Sequence, residues 1–111
     1  MATEGQIITN DKGGKQSKIA GQPTELPPLA IIEVSKVMAV GAERYPREAD
    51  GSPNWHKIGC FSNLDHCIEH AFNFLAERNK PPQDKAKMLE ELSHTAARSL
   101  MALEQFLRKE M

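Results

Sequence analysis

From Pro82 onward the chain has no further Gly or Pro, and the stretch to Lys109 carries Leu89, Leu92, Ala96, Leu103 and Leu107 at helical spacing. A rod of that length cannot cover its own apolar stripe, so the rest of the chain has to be laid along it. Two shorter helices are marked by their breakers. Pro27-Pro28 suits a first helical turn, where a missing N–H costs nothing. From Leu29 to Arg44, Ile31, Val34 and Met38 recur every three to four residues, and Ile32, Val37 and Val40 make the segment apolar nearly all round, as in a buried helix. Gly41 permits close approach of a neighbouring backbone, and Pro46 stops the helix. The other helix is expected to start at Ser62 as N-cap, with Asp65 completing a capping-box variant, and to bury Leu64, Ile68, Ala71 and Leu75 before ending at Asn79-Lys80-Pro81-Pro82.

No repeat and no strand-like alternation accompanies these helices. The expected fold is therefore all-α: a small bundle of three main helices over residues 26–111, preceded by a flexible N-terminal arm over residues 1–25. The arm is rich in Gly, Thr, Lys, Gln and Asn and cannot bury enough to offset its ordering entropy. It serves either as a solvated tail or as a strap across a partner subunit or ligand. Three helices of this size leave apolar surface on Leu29–Val40 and on the last helix uncovered, which calls for a homodimer or a higher homo-oligomer.

Composition excludes several function classes. A formal charge of −1 gives no field for counterion release, so duplex nucleic acid is not an expected partner. No apolar run approaches the ~20 residues of a membrane span, and no signal peptide is recognisable, so the expected location is the cytoplasm, that of the host cell if the protein is phage-encoded. Cys60 and Cys67 lie in no C-x-x-C motif and read as reduced thiols, not as a zinc or disulfide framework.

The chemistry-bearing residues gather in the middle and on the last helix. Residues 46–61 form a long loop with a turn at Asp50-Gly51 and the lone Trp55, which either staples the loop to the core or stacks on a planar ligand. His66, Glu69 and His70 share the polar side of one helix, while Glu90, Glu91, His94 and Arg98 lie on the other. Facing helices that each offer an E-x-x-H-like unit are one way to build a metal site inside a bundle; Glu91 to His94 has that spacing, and Glu69, His70, Glu91 and His94 are the candidate ligands. Oxygen-rich ligation favours Mg²⁺ or Mn²⁺, and added imidazoles shift the balance toward Mn²⁺, Fe²⁺ or Zn²⁺. With a nucleotide as ligand, Arg44, Lys57 and Arg98 would neutralise phosphates and Trp55 or Tyr45 would stack on the base. Lys36 is a further candidate contact, although with Glu33 at i,i+3 it equally forms a surface ion pair.

The ordered set Leu26-Pro-Pro, Ile32-Glu-Val-Ser-Lys-Val37, Gly41-Ala-Glu-Arg-Tyr45, Asn54-Trp55, Glu69-His70 and Glu91-Leu-Ser-His94 resembles a family of small phage proteins, the N-terminal domain of dATP/dGTP diphosphohydrolase. The resemblance runs from about Gly21 to Leu107 and matches at Gly41, Ala42, Tyr45, Asn54, Trp55, His70 and His94. It implies an all-α domain, a deoxynucleotide ligand contacted by Asn54 among others, and a distant tie to MazG-like pyrophosphohydrolases, which use Mg²⁺ held by acidic helices. Gln22 stands where the family has Lys, Glu69 where an Arg is common, and only Glu90, Glu91 and His94 stand where the MazG-like acidic pattern would continue.

Two functions follow as expectations. One is a metal-dependent pyrophosphohydrolase acting on purine deoxynucleoside triphosphates, with Glu69 and Glu91 as the catalytic carboxylates. The other is a protein that binds a nucleotide or cyclic nucleotide without chemistry, sequestering a bacterial immune signal during phage infection; the sparse carboxylates favour it. A purely structural or host-protein-binding helical module is the third class.

Overall fold

In the computed structural model, residues 6–111 are described. Three helices dominate: α1 (Pro28–Arg44), α2 (Cys60–Arg78) and α3 (Lys85–Leu107). Ahead of them lie two three-residue strands, β1 (Ile7–Thr9) and β2 (Lys15–Ser17), and a 3-10 turn over Pro23–Glu25. The strands pair antiparallel, Ile7 opposite Ser17, around a turn in which the Asn10 side chain accepts the N–H groups of Lys12 and Gly14. Strands this short leave no alternation to read, which is why the segment looked featureless. It is exposed throughout the hairpin, as its composition required.

The α1 helix begins at Pro28 and stops at Arg44, close to the expected limits. The start of α2 departs from the expectation that Ser62 caps it. The helix begins at Cys60 with Gly59 as N-cap, and its first N–H groups, those of Cys60 and Phe61, are taken by the backbone carbonyls of Glu110 and Met111. A side chain at position 59 would collide with the Met111 carbonyl, so glycine lets the end of the chain close over this helix terminus. A distant backbone segment thus supplies the cap that Ser62 and Asp65 were expected to provide. The last helix starts three residues after Pro82, with Asp84 as N-cap accepting the Lys87 N–H at 3.1 Å. Glu77 ties the two helices at this turn. It accepts the Asp84 N–H at 3.2 Å and meets Lys80 at 3.1 Å, and the Lys80 hydrogen bond holds its carboxyl below the usual range.

The packing of α3 is the main correction. Leu89, Leu92, Leu103 and Leu107, read as its buried face, are all more than half exposed. The buried residues are Ser93, Ala97, Met101, Ala102 and Gln105, which lie mostly four apart along a neighbouring stripe. Small side chains at 93, 97 and 102 suit the close approach of α2, with which α3 makes its most extensive contact. The expected inward stripe of α2 is likewise exposed at Leu64, Ile68 and Leu75, and in α1 only Val34 is buried, with Ile31, Ile32 and Val40 open. The core is small: Val34, Ala97 and Met101, with Val37, Met38, Ala96 and Trp55 packed on it. Among the described residues no helix is long and apolar enough to cross a membrane.

Candidate functional site

The segment from Pro46 to Gly59 is ordered by specific bonds and is not an open loop. Asp50 accepts both the N–H and the hydroxyl of Ser52 at 2.9 and 2.6 Å, and Gly51 takes a φ of 86°, the left-handed turn expected of Asp-Gly. Arg47 donates from Nη1 to the Gly51 carbonyl at 2.7 Å. A 3-10 turn over Asn54–Lys57 follows, and its far end is held from beneath by two buried amides. Gln105 donates from Nε2 to the carbonyls of His56 and Ile58 at 2.7 and 2.8 Å. Asn63 donates from Nδ2 to Ile58 and Gly59, both at 3.2 Å, and its Oδ1 accepts from Nη1 of Arg98 at 2.9 Å. Asn63 and Gln105 are each 0% exposed, the largest side chains so fully enclosed. Both fasten a loop to a helix pair, Asn63 through its nitrogen and its oxygen and Gln105 through its nitrogen alone, its Oε1 being buried without a partner among the described residues.

Between this strap and α1 lies a cavity of about 570 Å³. Its walls bring together Arg44, Tyr45, Asn54, Trp55 and Arg98, five of the seven residues expected to bind a nucleotide. Trp55 packs on the core and also lines the cavity. The two remaining candidates lie elsewhere. Lys36 bonds Glu33 at 2.9 Å, the surface pair allowed by their spacing, and lines a smaller hollow of about 340 Å³ between α1 and α3. Lys57 pairs with Glu48 at 3.0 Å and is not among the cavity's lining residues. Arg47 and His66 also line the large cavity; Arg47 was not expected at the site, and His66 was read only as part of the polar side of its helix. The signal for His66 was its place one turn before His70 on the polar side of α2; Arg47 offered none beyond its charge.

Two histidines from different helices meet here, one of them, His94, in the cavity wall. The rings of His70 on α2 and His94 on α3 lie 4.9 Å apart, tilted by 33°. Nδ1 of His70 is 2.8 Å from Oε2 of Glu91. A carboxylate accepts in this pair, so Nδ1 of His70 is the donor to Glu91. His94 lines both hollows, as do Val37 and Val40, and it is the one ionisable group they share. Burial, and then the neighbouring His70, lower its pKa below the ordinary 6.5. The unfolded chain therefore binds the proton more readily, and stability that is complete above pH 6.5 declines as the pH falls below that value. Melting temperatures followed from about pH 7.5 to about pH 5.5 should fall, and His94→Gln should flatten the decline.

His70, Glu91 and His94 thus lie together, whereas Glu69 is exposed one residue away and shares no hydrogen bond or ion pair with them among the described residues. Among the described residues, no group of three or more His, Cys, Asp or Glu is placed to hold a metal ion. One nitrogen of His70 and one oxygen of Glu91 are already engaged with each other, and the large cavity has no Asp or Glu in its lining. The lining of the large cavity therefore offers a divalent cation no carboxylate.

A family model described as dATP/dGTP diphosphohydrolase, N-terminal, covers residues 10–111. No curated protein and no solved structure matches the chain.

Proposed function

Because the chain belongs to the dATP/dGTP diphosphohydrolase N-terminal family, we propose that its large cavity binds a purine deoxynucleoside triphosphate and that the protein hydrolyses it to the monophosphate and pyrophosphate. One observation carries this reading: Arg44, Arg47, Arg98, His66 and His94 line a single cavity that also presents Tyr45, Asn54 and Trp55. Guanidinium groups match phosphate oxygens in pairs, and the two aromatic rings offer a face to a base. His94, in the cavity wall, is the group to which this reading gives the proton of an attacking water. Glu91 acts through His70, holding the ring beside His94 in one orientation. No step of this reading passes through a metal.

The test is release of pyrophosphate from each deoxynucleoside triphosphate, with Mg²⁺, with Mn²⁺ and with neither. His94→Gln should lower turnover by about 10²- to 10⁴-fold, the usual contribution of a general base. No turnover with any nucleotide under any of these conditions would retire hydrolysis.

The absence of Asp and Glu from the cavity lining favours a second reading, capture without chemistry. In it the cavity sequesters a nucleotide or cyclic nucleotide, and in a phage-encoded protein this would blunt a bacterial immune signal. Heating the purified protein and recovering an intact ligand supports capture, and recovering only cleaved product speaks against it. Both readings place the protein with the cytoplasmic nucleotide pool, and in both a second copy of the chain covers the exposed leucines of α3, making a homodimer or higher homo-oligomer.

A further inference from the structure

We infer that the cavity holds the phosphates of its ligand directly, on guanidinium groups, without a bridging divalent cation. The inference rests on the nucleotide reading above and adds how the charge is met. Mg²⁺ is ordinarily recruited to a nucleotide site by one or two carboxylates beside the phosphates. Here the lining offers Arg44, Arg47 and Arg98 and no Asp or Glu, so it attracts the anion and offers the cation no carboxylate. A metal-free triphosphate carries about two more negative charges than its Mg²⁺ complex, and in a partly enclosed site those charges strengthen its attraction to guanidinium.

The arginines are also set in advance. Nη1 of Arg98 is bonded to Oδ1 of Asn63, and that amide cannot turn away because its nitrogen already serves the carbonyls of Ile58 and Gly59. A wholly buried side chain thus spends its one remaining acceptor on aiming Arg98, whose other N–H groups are left for a ligand. Arg47 is tethered in the same manner by the Gly51 carbonyl. Cations fixed before binding lose little entropy on meeting the phosphate, which is what a site relying on them instead of on a metal requires.

The experiment is a fluorescence titration of Trp55, the single tryptophan and part of the cavity wall, with dATP, dGTP and inorganic triphosphate, each in excess EDTA and in saturating Mg²⁺. Affinity in EDTA should equal that in Mg²⁺ or exceed it by up to about tenfold, as expected for a more highly charged anion. Arg44→Gln, an exposed position, should weaken binding more in EDTA than in Mg²⁺. Binding that is about tenfold or more weaker in EDTA overturns the inference and leaves the nucleotide reading standing. If neither nucleotide nor triphosphate binds in either condition, the nucleotide reading itself fails and takes this inference with it.

Discussion

Arg98→Ala is expected to weaken nucleotide binding by about 10- to 100-fold, because hydrogen bonds to a charged group contribute about 1.5–3 kcal/mol each and every 1.4 kcal/mol is tenfold in affinity. The same substitution acts on the fold. Oδ1 of Asn63 accepts from Arg98 at 2.9 Å, and Asn63 is wholly enclosed, so truncation strands a buried acceptor. An orphaned group of that kind costs about 1–3 kcal/mol, and a domain of this size loses several degrees of melting temperature per kcal/mol. Arg98→Lys keeps the charge but not the fork that serves Asn63 and a ligand together, and it should recover only part of either loss. Fluorescence titration and thermal melting of the same samples measure both effects. Affinity within twofold of the wild type after Arg98→Ala would place the ligand outside this cavity.

Leu103→Glu is expected to convert an oligomer to monomer. Leu103 and Leu107 are 54% and 67% exposed in the single chain and lie on the same side of α3 as Leu92, itself half open. Covering a leucine contributes about 1.5–3 kcal/mol, and a two-fold interface counts each position twice, so one substitution removes about 3–6 kcal/mol before the cost of burying carboxylates. The dissociation constant should rise by more than about 100-fold. The fold of the chain should survive, since this side chain packs little within its own subunit. Sedimentation of wild type and variant across a concentration series checks both statements, and a wild type that is monomeric throughout would refute the proposed assembly.

Much of the site was legible before any coordinates. Glu91 and His94 share a polar helix face through their i,i+3 spacing, and His70 lies on the only other helix with such a face, so their meeting follows from antiparallel packing of α2 on α3. Arg44 and Tyr45 end α1 just where the next loop returns with Asn54 and Trp55, and chain connectivity alone keeps those four near one another. What could not be read was which neighbours the loop itself would bring. Arg47 enters the cavity, and Lys57 leaves it, because of a turn around Gly51 whose geometry depends on bonds to Asp50, Glu48 and Ser52. Periodicity carries no information about such a turn beyond its presence.

Breakers and spacing by themselves determined that the chain makes three helices, that α1 lies between Pro27 and Tyr45, and that imidazole and carboxylate groups occupy the polar sides of two of the helices. These are local properties, set within a turn or two of backbone. Tertiary structure alone decided how α3 is rotated, that Glu110 and Met111 cap α2 in place of Ser62, and that Asn63 and Gln105 lie in the interior while the leucines lie outside. The reason is that a helix's rotation depends on what its neighbour can approach. Ser93, Ala97 and Ala102 admit α2 closely and Gln105 finds two carbonyls to serve, while the bulkier leucines of α3 are left facing outward.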